Sequence, residues 1–264
     1  MTGEGFSASA DLSPRKPCRP VTRGRIAARL PLALFMITAL AVGCGRAAPP
    51  TPSRPERPVL TASPQPDATY VSIIGDLYTA GSPSEGEGRK SWPSIAEGIL
   101  RDQGVRITLN IGAKRGSGYA WHSWPRSVVF IDQVRQVVGS NTKLVIIFGS
   151  ASDQGNPPSQ LNLLVEHTLA EAKAKAPNAK LLIIGPAWAL DDPPSGLLQA
   201  RDVVKAQAEA AGALFVDPLA EAWFAGKPEL LGKDGDRPND AGHVFMAEQI
   251  APLMAQLLHA PAGR

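Results

Sequence analysis

Sulfur, charge and aromatic residues are all scarce in this chain. Of 264 residues only two are cysteine, Cys18 and Cys44, so everything beyond position 44 is without a thiol. That excludes a disulfide framework and any metal centre built on cysteine. Charged residues make up 19% and aromatic residues 6%. The most apolar stretch, 30 to 42 (LPLALFMITALAV), runs for 13 residues. A bilayer core of about 30 Å needs about 20, so a polytopic membrane protein is excluded. An excess of cations is lacking too, once charge is located along the chain. The formal net charge is +3, but residues 1 to 43 hold six basic residues against two acidic ones, which leaves −1 for the remainder. Nucleic acid is therefore not an expected partner, because phosphate backbones are bound by clustered cations.

What is present divides the chain into three parts. The 13-residue apolar run follows a basic stretch and ends at Gly43-Cys44, the pattern of a secretory signal peptide over 1–43. The cysteine directly after Ala41-Val42-Gly43 resembles a bacterial lipobox, in which a peptidase cuts before the cysteine and a thioether joins diacylglycerol to its sulfur. Cys44 is thus the expected lipidation site, and the expected location is the outer face of the cell membrane. An ordinary signal peptide with an incidental Cys44, and hence a secreted protein, is the alternative. Residues 44–68 are rich in proline and nearly free of large apolar side chains, as in a semi-extended spacer. The remaining part, 69–260, has the apolar material for one sizeable core.

In that third part, short aliphatic runs alternate with helical patterns. Strands are expected at 70–75, 105–110, 143–149, 180–185 and 213–216, and helices near 92–103, 125–138, 159–175, 196–211 and 239–258. KLVIIFG and KLLIIG are near-continuous apolar runs, as parallel strands buried on both faces require. No internal repeat and no coiled-coil heptad is visible. The alternation implies a three-layer α/β/α fold with a doubly wound parallel sheet. Ligands of such sheets bind beyond the carboxyl ends of the strands, where this chain places GDLY (75–78), GAKRGSGY (112–119), GSASDQG (149–155) and DGDRPNDAG (234–242).

These segments, in this order, resemble the blocks of the SGNH (GDSL-type) hydrolases, a family of esterases, lipases and carbohydrate deacetylases with a flavodoxin-like sheet. The resemblance implies a nucleophilic serine after Gly75-Asp76, an oxyanion hole from a glycine after the second strand and an asparagine after the third, and an Asp-x-x-His before the last helix. The oxyanion glycine falls on Gly116 and the acid on Asp234. The serine position is Leu77, the asparagine position is Ser152 and the histidine position is Arg237.

Each replacement removes chemistry. Leucine has no oxygen with which to form an acyl-enzyme. Arginine stays protonated and takes no proton from a nucleophile. Serine is too short to offer the amide donor of asparagine to an oxyanion. The expected function is therefore a binding protein on a hydrolase fold, with no cofactor and no metal. Its ligand would be a small molecule, lipid or glycan, and a cationic Arg237 beside Gly116 and Tyr119 would suit a carboxylate, a phosphate or an acidic sugar. Asp76, Tyr119 and Asp153 are expected to line the pocket. Asp76 and Asp153 are also read as loop braces, and Asp234 as the partner of Arg237. The alternative is an ester hydrolase of lipids or envelope glycans with a relocated site, for which Ser72, Thr79, Ser82, His122 and His243 are the available groups. A vestigial pocket with a partner surface around Trp121 and Trp124 is a third reading. Oligomeric state leaves no mark in the sequence.

Overall fold

The computed structural model describes residues 69–122, 127–190 and 192–259. The expected signal peptide, the spacer, Cys44 and Trp124 lie outside these residues. A five-stranded sheet runs through the domain in the order β2-β1-β3-β4-β5. Its strands are β1 (Thr69–Ile74), β2 (Ile107–Ile111), β3 (Thr142–Phe148), β4 (Lys180–Ile184) and β5 (Leu214–Val216). All neighbours pair in parallel. Between and after them lie α1 (Leu77–Ala80), α2 (Trp92–Asp102), α3 (Phe130–Val137), α4 (Pro158–Lys175), α5 (Ser195–Ala210) and α6 (Asp240–His259). The order reverses between β1 and β3, and the crevice at that switch point is where open α/β sheets receive ligands.

Two hydrophobic cores follow from the two-residue period of the strands. Val71, Ile73, Leu144, Ile146 and Phe148 face α2 and α6, packing on Trp92, Leu100, Met246 and Ile250. Ile74, Val145, Ile147 and Ile183 face α3, α4 and α5, packing on Phe130, Val134, Leu161 and Val165. Every residue from Leu144 to Phe148 is fully buried, which explains why β3 reads as an unbroken apolar run.

Two local expectations change. The helix anticipated from 125 begins at Phe130, with 125 and 126 outside the described residues. Ser127 has φ +49, which no helix accommodates, and Val129 is extended. The Asp132 carboxylate accepts the Val129 N–H at 3.3 Å and starts the helix there. The second change is α1, a single turn that its four residues would not form alone. Among the described residues no helix is long and apolar enough to cross a membrane.

Candidate active site at the carboxyl ends of β1, β2 and β3

Gly75 closes β1. A Cβ there would overlap the Thr79 hydroxyl, so only glycine lets the chain turn this tightly into α1. Its N–H donates to Gln133 Oε1 (3.1 Å), and its carbonyl accepts Lys114 N–H (3.0 Å) and the Ser117 hydroxyl (3.2 Å). The next residue, Asp76, nucleates α1 by accepting the Tyr78 N–H on Oδ1 at 2.9 Å. Its Oδ2 accepts the Ser150 hydroxyl at 2.8 Å. That bond ties the exit of β1 to the exit of β3. Burial pushes the Asp76 carboxyl up to about 7, against the pull of the Ser150 and Tyr78 hydrogen bonds and with a smaller push from Asp153.

Leu77 is the first residue of α1 and half-buried. Tyr78 turns its ring onto Phe148 and Phe224, and its hydroxyl reaches the Asp236 carbonyl at 3.5 Å. Leu77, where a nucleophile was expected from the resemblance, is thus a hydrocarbon between a buried acid and a buried phenol.

After β2, Gly116 adopts φ +69 with open space where a Cβ would stand. Beyond it, Asp153 fastens the loop: Oδ2 accepts Tyr119 N–H (2.8 Å), and Oδ1 accepts Ala120 N–H (2.9 Å) and Trp121 N–H (3.1 Å). A Cβ on Gly118 would overlap that carboxylate. Desolvation raises the Asp153 carboxyl above the ordinary range, and the three N–H groups oppose it. Ser152 stands on the 3-10 turn Ala151–Gly155, half-buried, with its N–H on Ser150 Oγ at 3.1 Å.

The expectation that Asp76, Tyr119 and Asp153 line a pocket is corrected by their burial. They are 5%, 1% and 2% exposed, so they form the frame behind the crevice. Tyr119 stacks edge-on against Phe130 at 4.9 Å, and its hydroxyl is buried without a hydrogen-bond partner.

The fourth segment carries Asp234 and Arg237. Arg237 Nε lies 2.6 Å from Asp234 Oδ2 and 2.8 Å from Asp236 Oδ1, so one guanidinium is shared by two carboxylates. That contact holds the Asp236 carboxyl below the usual carboxylate range and raises Arg237. The charge expected to face an anionic ligand is neutralised within its own loop. The cluster carries a net −1, with Glu85 acting on Arg237 as well.

None of the relocated groups forms a nucleophile and base pair. Ser72 is fully buried inside β1, bonded to the Val137 carbonyl (2.8 Å) and Thr142 (3.1 Å). Thr79 lies under Trp92, and Ser82 is held by Glu85. His122 meets the Ser127 carbonyl at 3.2 Å. His243 is buried in α6, where Nδ1 accepts Trp92 N–H at 3.2 Å, and desolvation lowers it to about 4. Among the described residues no group of three or more His, Cys, Asp or Glu is placed to hold a metal ion.

Sequence reasoning missed Gln133, fully buried on α3, which takes Gly75 N–H and donates to Ser117 Oγ at 2.7 Å. A glutamine on the face that carries Phe130 and Val134 was the available signal.

A model of the GDSL-like lipase/acylhydrolase family matches residues 73–245, from the end of β1 into α6. The chain belongs to that family. It is 44% identical over 191 residues to a GDSL lipase of Mycobacterium tuberculosis, covering 71% of this chain and 82% of that one. The fold is shared with solved structures of lower identity. TesA superposes with a TM-score of 0.60 at 20% identity, covering 72% of this chain and all of the other. A family two carbohydrate esterase from Clostridium thermocellum, solved with cellohexaose, gives 0.59 at 18% identity, covering 75% and 66%. Within this family the structure puts Leu77 and Ser152 just past the ends of β1 and β3, and Arg237 in the loop that enters α6. The Asp76 to Ser150 bond links the first two segments, and the Tyr78 to Asp236 contact links the first to the third.

Proposed function

We propose that the chain is an exported, lipid-anchored member of the GDSL-like family that binds a ligand at the carboxyl edge of its sheet and does not hydrolyse it. The observation that carries this reading is Leu77 at the first position of α1, directly after the capping carboxylate. At that point an acyl transfer needs an oxygen, and no amount of local adjustment supplies one. The locked Arg237 adds to it, since a guanidinium held by two carboxylates neither accepts a proton nor offers an open positive face. Loss of nucleophile and base in a serine hydrolase costs about a millionfold in turnover, on the subtilisin precedent. The ligand that suits this edge is a neutral acyl chain, small molecule or glycan, because the loop around Arg237 is net acidic.

The test is incubation of the purified protein with a serine-directed fluorophosphonate and a short-chain chromogenic ester. Absence of saturable labelling and of turnover is expected. Saturable labelling with turnover overturns the reading. A hydrolytic alternative has one specific observation in its favour, the contact of Ser150 with a carboxyl poised near pH 7. Ser150 is 2% exposed and its oxygen already takes the Ser152 N–H, so an ester does not reach it without movement of the turn. Activity abolished by Ser150→Ala would select that alternative. For the anchor, partition into detergent from cells is expected to be lost in Cys44→Ala and kept in Cys18→Ala.

A further inference from the structure

We infer that the end of the domain where the strands begin docks on an anionic lipid surface. In a parallel sheet every strand starts at the same pole, and helices that return antiparallel to the strands all end there. Thr69, where the segment from Cys44 joins the domain, pairs with Ile107 at this pole. The face nearest the point of attachment is therefore the face opposite the candidate site.

Its charge is unusual for a domain that is near neutral from Cys44 onward. Arg106 stands just before β2, Lys143 is the second residue of β3 and Lys180 the first of β4. The register brings them to one end of the sheet, Lys143 and Lys180 on neighbouring strands and Arg106 on the far side of β1, since Thr69 pairs with Ile107, Tyr70 with Thr142, and Leu144 with Lys180. Lysines in the last turn of α4 compensate the helix dipole, but nothing of that kind calls for cations at strand starts. Lys143 is exposed between the buried Thr142 and Leu144, so the pleat turns it outward and the core makes no use of it. Arg106, Lys143 and Lys180 have no ion pair among the described residues, whereas Asp102 and Glu171 are engaged with Arg101 and Arg135. Glu97 and Glu209 are the opposing carboxylates.

Beside Arg106 lies a recess of about 680 Å³ between the ends of α2 and α6, lined by Arg101 and Glu97 as well as Arg106, with Val105, Ile107 and Leu258 in its wall. A basic rim over an apolar wall matches a phospholipid surface, where phosphate lies above the acyl boundary. The opposite pole carries Asp234, Asp236, Asp240, Glu85 and Glu87 together with Arg89, Lys90, Lys114, Arg115, Lys233 and Arg237, and Lys90 and Arg237 are ion-paired there, so its charges compensate one another. The proposal uses the lipid-anchored reading only to place the membrane at this pole, and its test is independent of lipidation.

Both hydrophobic clusters lie within residues 71–258, so the chain from Gly45 keeps the whole core and is the protein to use. The probe is vesicles of phosphatidylcholine with an equal amount of phosphatidylglycerol, against phosphatidylcholine alone. Co-sedimentation with the anionic vesicles only, lost as salt rises from about 0.05 to about 0.5 M, is expected. A cation near an anionic surface is worth about fivefold in partition, so Arg106→Gln with Lys143→Gln and Lys180→Gln should weaken binding about a hundredfold. Arg89→Gln with Lys233→Gln, at the opposite pole, should leave it within about twofold. Of the five positions, all but the half-buried Lys180 are exposed, and unchanged unfolding midpoints confirm that the variants fold. No binding to anionic vesicles, or equal loss from both variant sets, overturns the proposal. Vesicle binding by the unlipidated chain together with an unmodified Cys44 in cells upholds the docking face and overturns the anchor instead.

Discussion

Replacing Asp76 by asparagine should abolish a loss of stability on rising pH, and the size of the effect follows from the site. The Asp76 carboxyl sits near 7 in the fold and near 3.8 when exposed. Between those values the folded chain holds a proton that the unfolded chain has released, so stability falls as pH rises through the window from about 4 to 7. Three pH units at about 1.4 kcal/mol each give a loss of about 4 kcal/mol by pH 8. His243 works in the opposite sense. Its value of about 4 lies below the ordinary 6.5, so the stability it contributes is present above 6.5 and is lost as pH falls toward 4. The two windows overlap, and the wild-type profile between pH 4 and 6.5 is flat in these two groups because one slope opposes the other.

Asp76→Asn removes one of them. Its amide oxygen can still accept the Tyr78 N–H, and any fixed cost of repositioning Ser150 is the same at every pH. The quantity to follow is therefore the stability of the variant minus that of wild type. It should climb by about 4 kcal/mol from pH 4 to pH 8, measured by urea unfolding with tryptophan fluorescence at constant m. A difference that stays within about 1 kcal/mol across that range would refute the claim that burial governs this carboxyl.

Three further outcomes test the frame and the missing chemistry. Leu77→Ser combined with Ser152→Asn and Arg237→His should give measurable turnover of a short-chain ester where wild type gives none, and continued inactivity in a folded triple variant would show that the frame no longer presents the site. Asp153→Ala leaves the N–H groups of Tyr119, Ala120 and Trp121 without their acceptor, at about 1 to 3 kcal/mol for each that stays dry, so chemical denaturation should show a loss of at least about 3 kcal/mol. Gly86→Ala sets a methyl group onto the His243 ring at φ +68, and a lowered thermal midpoint with no change at Gly88→Ala beyond its own positive-φ strain separates that clash from backbone effects.

What the sequence made legible is what repeats locally. β3 and β4 are aliphatic runs bounded by lysine and glycine, and burial on both faces writes that pattern directly. The spacing of Asp234 and Arg237, three apart in a tight loop, was enough to anticipate their pairing. Asp236 as a second partner was not, because contact between adjacent side chains leaves no pattern in the sequence. Asp76 and Ser150 are 74 residues apart, and no short-range pattern records a bond made by the sheet order. For the same reason α1 was invisible: the Asp76 cap alone does not hold four residues in a helix, and the packing of Tyr78 against Phe148 and Phe224 is made far along the chain.

On the proposed reading, the replacement of serine, asparagine and histidine by Leu77, Ser152 and Arg237 spares the fold for a physical reason. Asp153, Gln133 and His243 each satisfy backbone N–H groups of another segment, and Asp76 caps its own turn while accepting the Ser150 hydroxyl, so their removal would leave buried donors unpaired. Leu77 and Ser152 satisfy no buried group with their side chains, and both are half-buried at the crevice. Chemistry at such positions is separable from stability, because a side chain that points at substrate is not also holding the protein together. Arg237 completes the division. A histidine there would stand between Asp234 and Asp236 as a titrating base, whereas arginine meets both carboxylates as a fixed charge and keeps the loop ion-paired. The prediction that follows is specific: Arg237→His alone should lower stability above pH 7, where imidazole loses its charge, and leave it near wild type at pH 5. Equal stability at both pH values would mean that the two carboxylates draw nothing from the cation between them.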